Sequence, residues 1–158
     1  YLVAFWGLET NFGATKGNTD TLSALATLSF DKRRSTFFTK ELLSLLKTLE
    51  KEGIDPPKGS WAGAFGHYQF MPTTFENYAI DGDNDNKKNI CDSWADSTAS
   101  AANYLSNMGW KRHWRWGRQV ALTQNFPMDI NLKNKQTIKA INLNANPAQL
   151  PHKQIPKT

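Results

Sequence analysis

The chain has 158 residues, with 19 Lys and Arg against 14 Asp and Glu (formal charge +5) and 12% aromatics that include six Trp. The aromatic content excludes a disordered chain, the lack of any run of 18 apolar residues excludes a helical membrane span, and the single cysteine, Cys91, excludes an internal disulfide and a cysteine-based zinc site. The length fits one domain, and the basic excess points to an anionic polymer, nucleic acid among the candidates. The chain opens at Tyr1 with no Met and no charged leader, which reads as a processed or trimmed product.

Leu2 to Asn11 is apolar apart from one acid and runs to Gly13, so a first helix, largely buried, is expected there. Asp20 suits the N-cap of a second helix through Leu22, Leu25, Ala26 and Leu28. Phe37, Phe38, Leu42, Leu45, Leu46 and Leu49 recur at spacings of three and four. They predict a third helix with one apolar stripe, ended by Gly53 and Pro56-Pro57. A short helix starts near Pro72, and a last one covers about Ala95 to Asn107, before Gly109. No strand is expected before residue 126. All 19 aromatics lie at or before Phe126. Beyond it, residues 129–133 and 137–141 alternate polar and apolar as edge strands do. Pro147, Pro151 and Pro156 mark an extended or disordered end. The fold class is mainly α, with a core over 1–126 and a basic tail over 127–158.

Glu9 is the only acid between residues 1 and 19, and Leu2, Val3, Phe5, Trp6 and Leu8 surround it in sequence. An apolar setting disfavours a carboxylate and raises its pKa. A carboxyl that stays protonated near neutral pH can donate to a leaving oxygen. The alternative is a solvated Glu at the end of an amphipathic helix. Between Lys58 and Pro72, Gly59, Gly63 and Gly66 allow close backbone approach. The aromatics and amides between them suit a sugar, with its apolar faces and polar rim. The alternative there is a Gly-rich turn whose aromatics pack into the core.

The segments Trp6-Gly-Leu-Glu-Thr-Asn-Phe-Gly13, Ala24-Leu-Ala-Thr-Leu-Ser-Phe30, Arg33-Arg34, Gly59-Ser-Trp-Ala-Gly-Ala-Phe-Gly66 and Gln69-Phe-Met-Pro72 occur in that order. Tyr78-Ala-Ile-Asp-Gly-Asp-Asn-Asp85, Ala102-Asn-Tyr-Leu105 and Gly109-Trp110 follow. Together they resemble the membrane-bound lytic transglycosylase B family of peptidoglycan-cleaving enzymes over roughly residues 1–120. The resemblance implies a lysozyme-like helical core and a peptidoglycan lytic transglycosylase. It implies that Glu9 is the single catalytic acid/base and that Ser60 hydrogen-bonds and positions its carboxyl. Gln69, Phe70 and Tyr104 are then cleft residues on the glycan, and Arg33 and Arg34 a basic pair facing peptide or muramyl carboxylates. An Arg fork suits a carboxylate because it binds both oxygens; a solvated helix start is the alternative for the pair.

Most glycosidases flank the bond with two carboxylates. No second acid belongs to the Glu9 or Ser60 motif, and Asp20 and Asp31 read as cap or turn residues. In the resembled family the substrate supplies the nucleophile. Glu9 would protonate the oxygen between N-acetylmuramic acid and N-acetylglucosamine, then take the proton of the muramyl C6 hydroxyl as that oxygen closes on C1. A 1,6-anhydromuramyl end results. The resemblance also implies no catalytic cofactor and a bacterial periplasmic or envelope location, membrane-anchored in the full-length form. The implied partners are peptidoglycan glycan strands and cell-wall synthesis or remodelling proteins, with no nucleic acid and no transmembrane segment. The family carries helices before the Glu9 segment and tyrosine-bearing glycan contacts after this chain's end, so an incomplete core is expected. A lysozyme-like muramidase using water and a non-catalytic peptidoglycan-binding module are the alternatives.

Asp81, Asp83 and Asp85 occupy positions one, three and five of an EF-hand-like loop, with the Lys87 carbonyl at seven. Asn86 stands where such loops carry glycine, and Asn tolerates the left-handed conformation. Asp92 has the spacing of the closing ligand but a short reach; the longer loop of the resembled family implies Asp96 instead. The set suits a structural calcium ion, and a solvated Asp/Asn turn is the alternative. Cys91 has no His or Cys near it and reads as inert. His67 reads as a packed or exposed loop histidine rather than a sugar ligand, and Lys111-Arg-His-Trp-Arg-Trp116 as a solvated helix end with inward Trp residues. Residues 1–126 carry 14 basic and 13 acidic side chains, while 127–158 carry five Lys and one Asp. The charge therefore belongs mostly to the tail, which weakens the nucleic-acid reading and leaves a basic end suited to anionic envelope polymers.

Overall fold

The computed structural model describes residues 1–111. Five helices and one short ribbon follow in order: α1 (Leu2–Thr10), β1 (Thr19–Asp20), α2 (Thr21–Phe30), α3 (Ser35–Glu52), β2 (Lys58–Gly59), α4 (Pro72–Tyr78) and α5 (Trp94–Asn107). The chain divides into two units, Tyr1–Arg112 and His113–Thr158. The expected boundary near 126, the edge strands and the extended end lie outside the described residues, as does most of the basic-aromatic patch that begins at Lys111.

Local chemistry sets most helix ends. Asp20 caps α2 by accepting from the Ser23 N–H at 2.7 Å, and Ser93 caps α5 by accepting from the Asp96 N–H at 3.2 Å. Pro72 opens α4, where its missing N–H is not needed. Gly53 ends α3 in the left-handed conformation and donates to Leu49 O at 2.9 Å. Helix α1 stops at Thr10, three residues before the expected Gly13. Asn11 is its left-handed cap, at φ 48°, and Phe12 and Gly13 stay left-handed at φ 57° and 84°.

The ribbon corrects the expectation of no strand before 126. Thr19 pairs with Gly59 and Asp20 with Lys58, antiparallel. Strands of two residues are too short to show a period of two in sequence. Their approach depends on Gly17, where a Cβ would fall 2.1 Å from Gly59 O.

The interior has two clusters. Leu25, Phe38 and Leu45 join α2 to α3, with Leu22, Leu28, Leu42, Leu49 and Met71 against them. Phe65, Tyr68, Phe70, Phe75, Ala79, Ile90 and Ala101 form the other, and α1 adds half-buried Leu2, Phe5 and Trp6. Helix α4 packs between α3 and α5. Leu25 and Leu45 are fully buried, each contributing about 2 kcal/mol through removal from water.

The expected stripe on α3 is half right. Phe38 and Leu45 are buried, but Phe37 and Leu46 are exposed, and Glu41, Ser44 and Thr48 are buried in their place. The reason is α4, whose N-cap position is Met71 and offers no side-chain acceptor. Glu41, 3% exposed, supplies one from across the interface: it accepts from the Thr73 N–H at 2.9 Å and the Thr73 hydroxyl at 2.8 Å. A carboxylate at a helix N-terminus is favoured by the dipole as well as by these bonds. Ser44 donates to Glu76 at 2.6 Å and strengthens the same contact. Glu41→Ala is expected to lower unfolding stability by about 2 kcal/mol, read from a denaturant midpoint shift at unchanged slope.

Candidate active site

Glu9 lies in the last turn of α1. That helix is less buried than expected. Thr10 is its one fully buried residue, while Leu8 is 86% and Val3 66% exposed. Glu9 itself is on the exposed side, yet desolvation by its neighbours raises its pKa. The C-terminal end of a helix dipole acts in the same direction. No hydrogen bond or ion pair among the described residues engages its carboxyl. An unpaired, partly desolvated acid is the arrangement a proton donor needs.

The Gly59–Phe70 segment folds as two successive tight loops. Gly59 bridges to Phe65 around Ser60–Ala64, and Phe65 bridges to Phe70 around Gly66–Gln69. Ser60 N donates to Ala64 O at 2.7 Å, and the Ser60 hydroxyl accepts from the Ala64 N–H at 3.0 Å. The Ser60 oxygen therefore closes its own loop, and no hydrogen bond joins it to Glu9. The glycines are occupied by protein. A Cβ at Gly59 would meet Ala64 O at 2.1 Å, one at Gly63 would strike Leu25, and one at Gly66 would lie 2.8 Å from Ile90 O. Phe65, Tyr68 and Phe70 are buried, leaving Trp61, 72% exposed, as the aromatic of this segment that faces solvent. The core-packing alternative thus holds for all but Trp61.

The other expected residues are placed as follows. Gln69, at φ 50°, uses its side-chain amide to donate to Lys16 O and Gly66 O, both at 3.0 Å. Phe70 is 3% exposed and packs on half-buried Tyr104, whose ring also meets Tyr78. Arg33 is exposed and holds Asp31 through two nitrogens, the shorter bond 2.6 Å. These bonds bring the Asp31 pKa down to about 2. Arg34 lies over the Phe37 ring at 4.5 Å. Asp20 and Asp31 are the cap and turn residues expected.

In the acidic loop, carboxylate oxygens of Asp81, Asp83 and Asp96 lie within 4.8 Å of one another. Asp96, 1% exposed, accepts from the Gly82 N–H at 2.8 Å and the Asn89 N–H at 2.7 Å. Asp81 accepts from Asn84, Asp85 and Asn86 N–H groups. Burial alone would raise the Asp81 pKa, but these backbone bonds outweigh it and lower it. Asn84 and Asn86 take the left-handed conformation, at φ 63° and 69°. Asp92 turns away to Lys16 at 3.7 Å, and Asp85 accepts from the Lys87 N–H. An all-oxygen set with one buried carboxylate fits a hard divalent cation.

Two further features were not legible in sequence. The Trp6 indole N–H donates to His67 Nδ1 at 3.2 Å, and the Thr10 hydroxyl donates to His67 O at 2.9 Å. The partners are 61 and 57 residues apart, and no local pattern announces them. A cavity of about 690 Å³ lies elsewhere among the described residues, bounded by Lys16, Lys58, Lys87, Lys88, Phe65 and Ile90 among others, and includes neither Glu9 nor Ser60. Cys91 has its thiol pushed up by burial to about 11, in keeping with an inert thiol.

His67 is 5% exposed, and desolvation, with Lys16 nearby, lowers its pKa, Asp92 opposing. The folded chain thus binds this proton more weakly than the unfolded chain does. Stability is expected to be full above the ordinary value of 6.5 and to fall as pH drops from there to the depressed folded value. A thermal-unfolding series from pH 7.5 to 5 should show that fall in the wild type and a flatter profile in His67→Asn. Asp31 and Asp81, lowered in the folded state, add their own loss only in the more acidic window below 3.8.

The chain was compared with known proteins. A family model described as "Transglycosylase SLT domain" matches residues 1–157. Membrane-bound lytic murein transglycosylase B of Escherichia coli (strain K12) is 42% identical over 127 residues, covering 78% of this chain and 34% of that protein. The structure of SltB3 from Pseudomonas aeruginosa in complex with NAG-anhNAM-pentapeptide aligns at TM-score 0.73 and 43% identity, over 79% of this chain and 34% of that one. The lytic transglycosylase Slt35 of Escherichia coli, solved in complex with calcium, aligns at TM-score 0.76 and 37% identity, over 96% of this chain and 49% of that one. The chain therefore spans about a third of the length of the curated relative. The mainly helical, lysozyme-like fold expected from the motifs is the one seen. With its Glu9, Ser60 and Gln69 motifs in order on that fold, the chain belongs to the transglycosylase SLT domain family.

Proposed function

We propose that this chain carries the catalytic acid of a peptidoglycan lytic transglycosylase acting in the bacterial envelope. The observation that carries the reading is Glu9: a carboxyl with a raised pKa and no hydrogen-bond or ion-pair partner among the described residues, on the helix that bears the family motif. The protonated Glu9 donates its proton to the glycosidic oxygen between N-acetylmuramic acid and N-acetylglucosamine, and the C1–O bond breaks. The Glu9 carboxylate then accepts the proton of the muramyl C6 hydroxyl as its oxygen bonds to C1. The acid is regenerated, and no water is consumed. Such an intramolecular nucleophile is already held near the reacting carbon, which removes much of the entropic barrier. The relative solved with NAG-anhNAM-pentapeptide carries such an anhydro end in its ligand.

Ser60 would position the Glu9 carboxyl by exchanging its Ala64 bond for one to Glu9. Arg34 is the more available of the two arginines for a substrate carboxylate, because Asp31 already engages Arg33. Gln69, Phe70 and Tyr104 would back the glycan cleft, a reading supported by the Gln69 bond to Lys16 O and the Phe70–Tyr104 ring contact. The basic 127–158 segment would hold the protein near anionic envelope polymers. Asp81, Asp83 and Asp96, assisted by Asp85 and the Lys87 carbonyl, would bind calcium in a structural role, as the calcium complex of the related Slt35 supports.

Glu9→Gln is expected to fold normally and to release no anhydromuropeptides from purified sacculi, by mass analysis of the digest. Reducing muramic acid ends from the wild type would instead favour a muramidase using water. Calorimetric titration is expected to show calcium heat and a rise in unfolding temperature, both lost in Asp96→Asn. Absence of either in the wild type would remove the calcium reading.

A further inference from the structure

We propose that His67 is a positioning residue, which fixes the α1 turn carrying Glu9 by accepting from Trp6 through its ring and from Thr10 through its carbonyl. This rests on Glu9 being the acid/base. Apolar contact, such as Phe5 on Tyr68 at 5.1 Å, seats helix α1 but sets its rotation only loosely. Val3 and Leu8 are exposed, Leu2, Phe5 and Trp6 only half-buried, and Thr10 is the single residue fully inside. Trp6 and Thr10 lie on one face, with Glu9 about 80° round the helix from it. Their two bonds to His67, at 3.2 and 2.9 Å, therefore control both the rotation of the helix and its distance from the Gly59–Phe70 segment.

The anchor is itself fixed. His67 N donates to Ile90 O at 3.1 Å. The His67 ring stacks on Trp94 at 4.3 Å, and a Cβ at Gly13 would fall 2.8 Å from it. Trp6 in turn meets Trp94 at 4.4 Å and Phe12 at 5.3 Å, both edge-on. Phe12 holds this place in a left-handed conformation that a bulky residue adopts only at a cost. The charged groups that face His67 are Lys16, from the segment after α1, and Asp92, from the loop before α5.

The chemistry fixes the tautomer. An indole N–H is only a donor, so Nδ1 must be the accepting nitrogen and Nε2 must carry the proton. A second proton on the ring occupies Nδ1 and breaks the Trp6 bond. The Thr10 bond, made to backbone, survives. Below the His67 pKa the helix keeps the Thr10 bond and its non-directional ring contacts, such as Phe5 on Tyr68, but loses the directional bond at Trp6. Misplacement of a catalytic group by about 1 Å costs on the order of 100-fold in rate.

The test compares His67→Phe, which keeps a ring without an acceptor, with His67→Asn, whose side-chain oxygen takes the place of Nδ1 and does not titrate. Both are assayed for anhydromuropeptide release, with folding checked by circular dichroism. The expected result is a 10- to 100-fold fall in kcat for His67→Phe with KM unchanged. His67→Asn should recover most of the rate and lose the acid limb near His67 from the kcat–pH profile. Trp6→Phe should match His67→Phe, and the double variant should be no worse than either single one. The Trp6 indole N–H resonance should shift as His67 titrates in the wild type and stay fixed in His67→Asn. Full kcat in a folded His67→Phe, multiplicative losses in the double variant, or an indole resonance indifferent to pH would each overturn the inference. Turnover by Glu9→Gln would instead defeat the acid/base reading itself, while leaving the indole measurement to judge the contact.

Discussion

The close backbone packing around residues 59–66 is the constraint on which the rest of the unit depends. Gly17 lies against Gly59, Gly59 against the Ala64 carbonyl, Gly63 against Leu25 and Gly66 against the Ile90 carbonyl, each too near for any side chain. Two parts of the chain far from it in sequence meet on this one segment: residues 17–25, running through β1 into α2, and the loop before α5. Three of these approaches, at Gly17, Gly59 and Gly66, are to backbone carbonyls and so are stiff, and the bridges Gly59–Phe65 and Phe65–Phe70 turn the segment into a fixed platform. Aromatic side chains of the platform face inward and build the larger cluster, which α4 and α5 complete.

Helix α1 is seated on that platform by polar contacts more than by burial. This division of labour is unusual for a helix with a mean composition so apolar, and it explains how Glu9 can be both accessible and desolvated. A helix buried all round would hide the carboxyl; one held only by hydrophobic area would leave its rotation loosely set, because apolar contact is non-directional. Hydrogen bonds from Trp6 and Thr10 to a fixed residue set the rotation with little burial.

Two buried carboxylates do similar structural work elsewhere. Glu41 ends α4 from the neighbouring α3, and Asp96 ties the acidic loop to α5 by accepting from Gly82 and Asn89. In both cases a charge is tolerated in the interior because backbone N–H groups meet it, which offsets its lost hydration. Asp96 faces Asp81 and Asp83 as well, and three carboxylates so close repel one another. A cation bound among them would relieve that repulsion.

The sequence by itself determined the helices, most of their caps and the family. Asp20 and Pro72 act through neighbours within a turn, so their effect is readable locally. Linked motifs from Trp6 to Trp110 carry the family because chance rarely supplies several in order. Only the tertiary structure decided which side of each element is inside. Glu41 is buried and Leu46 exposed because α4 needs a cap at that place, and no helical period encodes a neighbour's need. The glycines looked like room for a sugar, but their space is filled by Leu25, Ile90 and the chain's own carbonyls. Glu9 was legible from its motif as the proposed acid. How it is held, through His67 nearly sixty residues on, was not, since a hydrogen bond between distant segments leaves no trace in either one alone.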